Sequence, residues 1–236
     1  VQGVVGTHAN GSASIPDELV SLKNASEASA LVLAAAHALV LIDGETVGDP
    51  MERRALDALG WTIKPDDHVV PSENAAYKSS SIKIRTRFLF SSALKRMSTL
   101  SQVSDAGKTR GQMLAAVKGA PETLKSMFTT LPANYDDLYR HYTRRGSRVI
   151  ALGYRWLDVD VARAKTLKRE DVERDLSFAG FLVLHCPLKP DAVESLRQLN
   201  NSAHRCVMIT GDNALTAIHI AEEVEIVARE ALIFDK

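Results

Sequence analysis

The stretch from Phe88 to Glu122, FLFSSALKRMSTLSQVSDAGKTRGQMLAAVKGAPE, constrains this chain most. On its N-terminal side Ile82, Ile84, Phe88 and Phe90 fall on alternate positions, with Lys83, Arg85 and Arg87 between them. That is the period-two pattern of a strand with one buried face. A second strand-like run, Gln112 to Val117, ends at Lys118, and the polar residues from Ser98 to Gly111 read as the loop joining the two. Gly119 and Ala120 turn the chain into a helix beginning at Pro121, whose missing N–H costs nothing there. Glu122 in the first turn suits the positive end of the helix dipole. On closing, the hairpin brings Phe90, Lys95 and Lys118 near one another. An aromatic face and two ammonium groups suit a planar base carrying phosphates. By pattern alone, Phe90 fits equally as the last core residue of its strand, and the two lysines as solvated surface side chains.

A chain of 236 residues has room for one large domain or two modest ones, and for a substantial core. Its 29 basic and 29 acidic side chains balance, so there is no global attraction to nucleic acid or to an anionic membrane. Neither of the two cysteines, Cys186 and Cys206, has a neighbour at metal-ligand spacing, and free thiols suit a reducing compartment. The opening VQGVVGTHANGSAS lacks the charged start and long apolar run of a signal peptide. The longest apolar run, Ala28 to Ile42, is interrupted by Ser29 and His37 and is too short to span a bilayer.

Taken in order, Thr7 to Asp17 is polar, with glycine and serine, and reads as a linker. Ser26 is a good N-cap for a helix from Glu27 to about Leu41, apolar nearly all round and therefore buried. His37 inside it reads as a satisfied core histidine, and Asp43-Gly44 marks the turn that follows. In GDPMERRAL, Gly48 to Leu56, Asp49 caps a helix, Pro50 takes its first position and Glu52 falls in its first turn. Trp61 to Ser81 reads as a loop holding one short strand at most. Gly107-Lys108-Thr109 imitates the end of a P-loop, but Gln102 stands where the first glycine is required, so the match fails.

Further helices are expected at Pro121 to Phe128 and at Tyr135 to Arg145, the second ended by Gly146. Arg148 opens a strand, Val149 to Trp156, and the mixed charges of Asp158 to Asp175 read as a solvated helix. Ser177 to His185 is an apolar run of the buried-strand type. A helix from about Pro190, a strand at Arg205 to Ile209 and a turn, Thr210 to Asn213, into a last helix follow. That order predicts a parallel, doubly wound α/β unit. Ligands of such sheets sit at the carboxyl ends of strands, where Thr210 to Asn213 falls.

GDPMERRAL, FSSALKRMS, KGAPE and MITGDN, in that order, resemble the P-type ATPases, and RVIALGYR resembles the strand of that family whose leading arginine reaches the nucleotide phosphates. The fold class is then α/β. The resemblance implies a nucleotide-binding domain with an antiparallel sheet and flanking helices, inserted in a haloacid-dehalogenase-like phosphorylation domain. Residues 1–185 would be the former, opening on the linker, and residues 186–236 part of the latter. It implies ATP as ligand, with Mg2+ in the intact enzyme. Glu52, Phe90, Lys95, Lys118, Gly119 and Arg148 would bind the nucleotide, with Glu52 facing the adenine. Thr210, Gly211, Asp212 and Asn213 would contact the phosphoryl group being transferred. The phosphorylated aspartate of the family lies in a DKTGT motif that this sequence does not contain, so no catalytic residue and no metal ligand is assigned here.

The string Cys186-Pro187-Leu188-Lys189 replaces the usual Asp-Pro-Pro-Arg-like string and looks like the fifth class of the family, in its endoplasmic-reticulum branch, which is linked to removing misplaced transmembrane helices. Ser92 stands where calcium-pump relatives carry an arginine. The expected partners are the remaining phosphorylation, actuator and transmembrane domains of one polypeptide at the cytosolic face of the endoplasmic reticulum, with no nucleic acid. The segment itself would be monomeric and would bind ATP without turnover. Two other classes are a soluble haloacid-dehalogenase-like phosphatase, which needs its own DxD-type nucleophile motif, and a non-catalytic binding module.

Overall fold

Leu114, Ala115, Ala116 and Val117 are all fully buried. Four consecutive buried positions require a central strand covered on both faces. The computed structural model, which describes residues 3–5, 19–73, 75, 77, 80–105, 111–227, 229 and 231–233, provides that arrangement. In chain order its elements are β1 (Gly3–Val5), α1 (Glu27–Ala35), β2 (Val40–Ile42), β3 (Glu45–Val47), α2 (Pro50–Leu59), β4 (Trp61–Lys64), β5 (His68–Pro71) and β6 (Ser80–Ser91). They continue with β7 (Arg96–Asp105), β8 (Gln112–Gly119), α3 (Pro121–Leu124), β9 (Phe128–Thr130), α4 (Tyr135–Thr143) and β10 (Arg148–Leu157). The last are α5 (Val161–Ala164), α6 (Arg169–Val172), β11 (Leu176–Leu184), α7 (Ala192–Asn201) and α8 (Ala214–Glu223).

The main sheet runs β1-β11-β10-β8-β7-β6-β5-β4, with β9 also pairing β11. Every pairing is antiparallel except that of β9. One face packs on α1 and α2 through Leu114, Ala116, Leu152 and Leu182. The other is covered by α3 and α4 over Val117, Val149, Ala151 and Phe181, and by α5 and α6 over Leu100, Met113 and Ala115. This is the antiparallel sheet with flanking helices that the family resemblance implies.

Several local readings change. Ser98 to Gly111 is not simply a loop, because β7 occupies its first half and separates β6 from β8. The strand is hidden by its hydroxyls: Ser98, Thr99 and Ser101 are buried, and Thr99 Oγ1 donates to the Ala35 carbonyl at 3.1 Å. The side chains of β6 do not share one face either. An extra residue between Ile84 and Thr86 moves Phe88 to the opposite face, against Leu100 and Met113. A second irregularity before Ser91 returns Phe90 to the first face. A bulge reverses the alternation each time.

Trp61 to Ser81 holds two strands, with Asp66 and Asp67 both at positive φ in the turn between them, the conformation tight hairpin turns demand. Asp158 to Asp175 forms two short helices, α5 and α6, which bury Ala164 and Val172. No strand follows β11 among the described residues, so the expected parallel unit is not formed. Residues 204–210 lack strand structure, and Val207 and Ile209 are 70% and 94% exposed. A parallel strand has to be buried on both faces, and among the described residues this segment is not covered in that way. The P-loop-like Gly107-Lys108-Thr109 and the linker Thr7 to Asp17 lie outside the described residues.

Helix α1 starts at the expected cap, where Ser26 Oγ accepts the Ser29 N–H, but it stops at Ala35 rather than near Leu41. Side chains capture the backbone groups beyond that end. Arg87 Nε donates to the His37 carbonyl, Glu52 Oε2 accepts the Ala38 N–H, and His37 Nδ1 accepts the Leu39 N–H. His37 is buried and its Nε2 has no hydrogen-bond partner, so it is only half satisfied. Burial, together with the Lys118 ammonium and the Arg87 guanidinium, pushes it down to about 3. Below about pH 6.5 the unfolded chain takes up a proton that the folded chain refuses, so the stability that this group contributes is fully present above that pH and is lost progressively beneath it. Denaturant titrations at pH 6.5 and 4.5 should show a loss of about 2 kcal/mol from this group. His37→Asn, which keeps an acceptor near Nδ1, should lack that increment.

Candidate functional site

Five strand ends converge at one edge of the α1/α2 side of the sheet: the carboxyl ends of β6, β8 and β11 and the amino ends of β7 and β10. They enclose a cavity of about 600 Å3 whose lining includes Glu52, Phe90, Ser92, Lys95, Lys118, Gly119, Arg148, Gly211, Asp212 and Asn213. Apart from Thr210, every residue singled out as a candidate contact meets there. Leu33, Ala55, Ile150, Leu182 and Leu184 supply an apolar wall.

Phe90 is 62% exposed, so it is not the last core residue of its strand. It presents a ring to the cavity with little behind it. Lys95 lies in the β6–β7 turn with φ +49°, a left-handed conformation that non-glycine residues rarely hold. Its N–H donates to the Ser91 carbonyl at 2.7 Å, and its carbonyl accepts the Ala120 N–H at 3.0 Å. Lys118 is not a surface lysine. Its ammonium donates to Glu52 Oε1 at 2.7 Å, and both side chains are only 13% exposed. Asp49 Oδ1 accepts the N–H groups of Met51 and Glu52, which fixes the first turn of α2 and with it the Glu52 side chain.

Arg148, at the start of β10, donates from one amino group to Asp212 Oδ1 at 2.5 Å and from the other to Met51 Sδ at 3.1 Å. Thr210 is not among the cavity-lining residues, and its Oγ1 accepts the Asp212 N–H in a local turn. Asn213 Oδ1 caps α8 by accepting the Leu215 N–H. Helix α8 is held to the sheet domain where Thr216 Oγ1 donates to the Ser147 carbonyl at 3.1 Å. The sequence reading missed Met51, Met97 and Thr216, all of which line the cavity. Met51 and Met97 lie within the strings GDPMERRAL and FSSALKRMS, whereas Thr216 carried no such signal.

A spacing that the sequence reading passed over, Asp158-Val159-Asp160, does follow β10 in the DxD pattern of a phosphatase nucleophile. Asp160 Oδ1 is instead occupied as the N-cap of α5, accepting the Arg163 N–H at 2.7 Å. Among the described residues no group of three or more His, Cys, Asp or Glu side chains could hold a metal ion. No described helix is long and apolar enough to cross a membrane.

The geometry is an apolar slot with an aromatic rim and three cationic side chains, at the edge of an antiparallel sheet covered by helices. The chain matches the family profile "P-type ATPase, cytoplasmic domain N" over residues 22–191, and it belongs to the P-type ATPases. It is 48% identical over 231 residues to the "Endoplasmic reticulum transmembrane helix translocase spfA" of Aspergillus fumigatus, covering 92% of this chain and 18% of that protein. The Saccharomyces cerevisiae "Endoplasmic reticulum transmembrane helix translocase" is 47% identical over 222 residues, 92% of this chain and 17% of the relative. A relative from Arabidopsis thaliana, named "Probable manganese-transporting ATPase PDR2", is 44% identical over 206 residues, 87% of this chain and 17% of its own length. The chain thus spans less than a fifth of each of these relatives.

Gly119 is the tightest point of the site. A Cβ there would stand 2.7 Å from the Lys95 carbonyl oxygen and 2.6 Å from Arg96 Cβ, whereas at Gly211 it would meet nothing within 4 Å. Gly119→Ala should therefore cost about 1–3 kcal/mol and Gly211→Ala no more than about 0.5 kcal/mol. Urea unfolding of the two variants beside wild type checks the contrast.

Proposed function

We propose that this chain is the ATP-binding segment of a P-type ATPase, and that its site delivers the γ-phosphate to an aspartate that the present sequence does not contain. The observation that carries the reading is Phe90, an exposed ring on the rim of an apolar cavity that three cationic side chains also line. Adenine stacks on Phe90 against the apolar wall. The Glu52 carboxylate, anchored by Ala38 N–H and Lys118, accepts from the amino group of the base. Lys95, Lys118 and Arg148 meet the phosphates, and Gly119 lets the backbone approach them. Gly211, Asp212 and Asn213, which line the cavity beside Arg148, would stand at the phosphate end, where transfer would occur. Magnesium would come with the nucleotide and be held mainly by groups beyond those described here. Phosphoryl transfer depends largely on positioning and charge stabilisation, and these residues supply the positioning.

On this reading residues 1–185 form the nucleotide-binding domain, and residues 186–236 belong to the phosphorylation domain and complete it with other parts of the same polypeptide. The names of the two fungal relatives, together with Cys186-Pro187-Leu188-Lys189, favour helix extraction at the cytosolic face of the endoplasmic reticulum. The name of the Arabidopsis relative supports cation transport as the second reading.

Calorimetric titration of ATP, ADP and AMP tests the site. The three should bind within about an order of magnitude of one another, because they share the base. Phe90→Ala should weaken all three alike by about 5- to 150-fold, the equivalent of about 1–3 kcal/mol of stacking. Lys95→Ala should weaken ATP more than AMP. Unchanged affinity in Phe90→Ala would remove the stacking account, and loss of binding on chelation would assign the energy to metal-bound phosphates instead. Incubation with γ-labelled ATP and magnesium should leave no hydroxylamine-sensitive label on the chain.

A further inference from the structure

Behind the sheet, on the face away from the cavity, lies a carboxylate that the proposed site does not use. Glu173 follows α6, and its side chain is only 2% exposed. Its Oε2 accepts from Arg96 Nε at 2.6 Å. Its Oε1 accepts from Ser98 Oγ at 2.8 Å and from an Arg169 amino group at 3.0 Å. Both arginines then reach the same turn. Arg96 donates a second bond to the Leu94 carbonyl at 3.2 Å, and Arg169 to the Leu89 carbonyl at 2.7 Å. The Arg169 guanidinium also lies over the Phe88 ring, 5.7 Å from its centroid.

Leu89 immediately precedes Phe90, and Leu94 immediately precedes Lys95. The two fastened carbonyls therefore bracket the turn that presents the ring and the ammonium to the cavity. The turn needs such support. It follows an irregularity in β6, it holds Lys95 at positive φ, and the Phe90 ring has little packing of its own. On the cavity side the Ala120 N–H, bonded to the Lys95 carbonyl, restrains it as well.

We infer that Glu173, acting through Arg96 and Arg169, is a positioning residue for nucleotide binding: one buried carboxylate aims two guanidinium groups that set Phe90 and Lys95 from the back of the sheet. The inference rests on the nucleotide reading of the cavity. Glu173 touches neither the base nor the phosphates. Replacing its charge lets the two guanidinium groups repel and reorient, and the turn loses its two anchors while the cavity wall stays intact.

The test is a double-mutant cycle on the full chain, with ATP affinity measured by calorimetry. Glu173→Gln should raise the ATP Kd about tenfold, a change of about 1.4 kcal/mol. The same substitution should have a clearly smaller effect in a Phe90→Ala background, because one of the two groups it positions is gone. Arg169→Met, which removes the Leu89 anchor and leaves the Arg96–Glu173 pair, should reproduce part of the loss and serves if Glu173→Gln folds poorly. Val172→Ala, a core truncation beside the cluster, destabilises the fold without touching the turn and should bind ATP as wild type does. Wild-type affinity in both Glu173→Gln and Arg169→Met overturns the inference while leaving the nucleotide site standing. An equal loss in the wild-type and Phe90→Ala backgrounds also overturns it, since a merely structural role predicts that result. A wild-type chain that binds no ATP, with Phe90→Ala no different, removes the site and the inference together.

Discussion

The ion pair between Lys118 and Glu52 joins the central strand of the sheet to the helix that covers it, and most of the site follows from it. Lys118 is the last side chain of β8 before Gly119, and Glu52 stands in the first turn of α2. At 2.7 Å and largely out of solvent, the pair is desolvated enough that losing either partner leaves a charge without compensation. Glu52 also takes the Ala38 N–H, one of the backbone groups freed where α1 ends early. One carboxylate thus links the end of α1, the first turn of α2 and the Lys118 ammonium. An electrostatic link of this kind leaves a cation oriented but still partly open to a second anion, which a phosphate-bearing ligand requires.

A second constraint is steric. Gly119 lies against the backbone of the β6–β7 turn, so β7 and β8 approach more closely there than side chains would permit. This close approach, together with the two irregularities in β6, brings Phe90, Lys95 and Lys118 to one edge. In an unbroken ladder Phe88 would share the face of Ile84, and the aromatic rim would be a wider apolar patch. The bulges divide the two rings, one into the core beneath α6 and one to the cavity. Buried hydroxyls and a buried carboxylate then fix the back of the same turn. A site whose contacting groups sit on a short turn needs that second layer, because the turn has few packing contacts of its own.

Much of this was legible beforehand. Helix starts at Ser26, Asp49 and Asn213 follow from side chains that accept backbone N–H groups within three residues, an effect local in sequence. The central strand from Gln112 follows from an unbroken apolar run, and the hairpin turn at Asp43-Gly44 from residues that tolerate positive φ. The residues that the family resemblance singled out, Thr210 excepted, line one cavity, because short motifs carry the groups that face it. What escaped depended on distant partners. Strand β7 looks polar until the Ala35 carbonyl and Glu173 are available to its hydroxyls. The end of α1 is set by Arg87 and Glu52, which lie elsewhere in the chain, and Lys118 reads as a surface lysine until α2 folds over it.

The amino-acid sequence by itself determined the caps, the core strand and the glycine turn at Lys118, because each depends on neighbours a few positions away. The tertiary structure alone decided which face each β6 side chain takes, that the Arg205–Ile209 run remains outside any sheet, and that Glu52 is spent on Lys118 and Ala38. Register, strand partners and ion pairing are long-range choices. Each is settled by what the rest of the chain places within a few ångströms, and no local pattern encodes that.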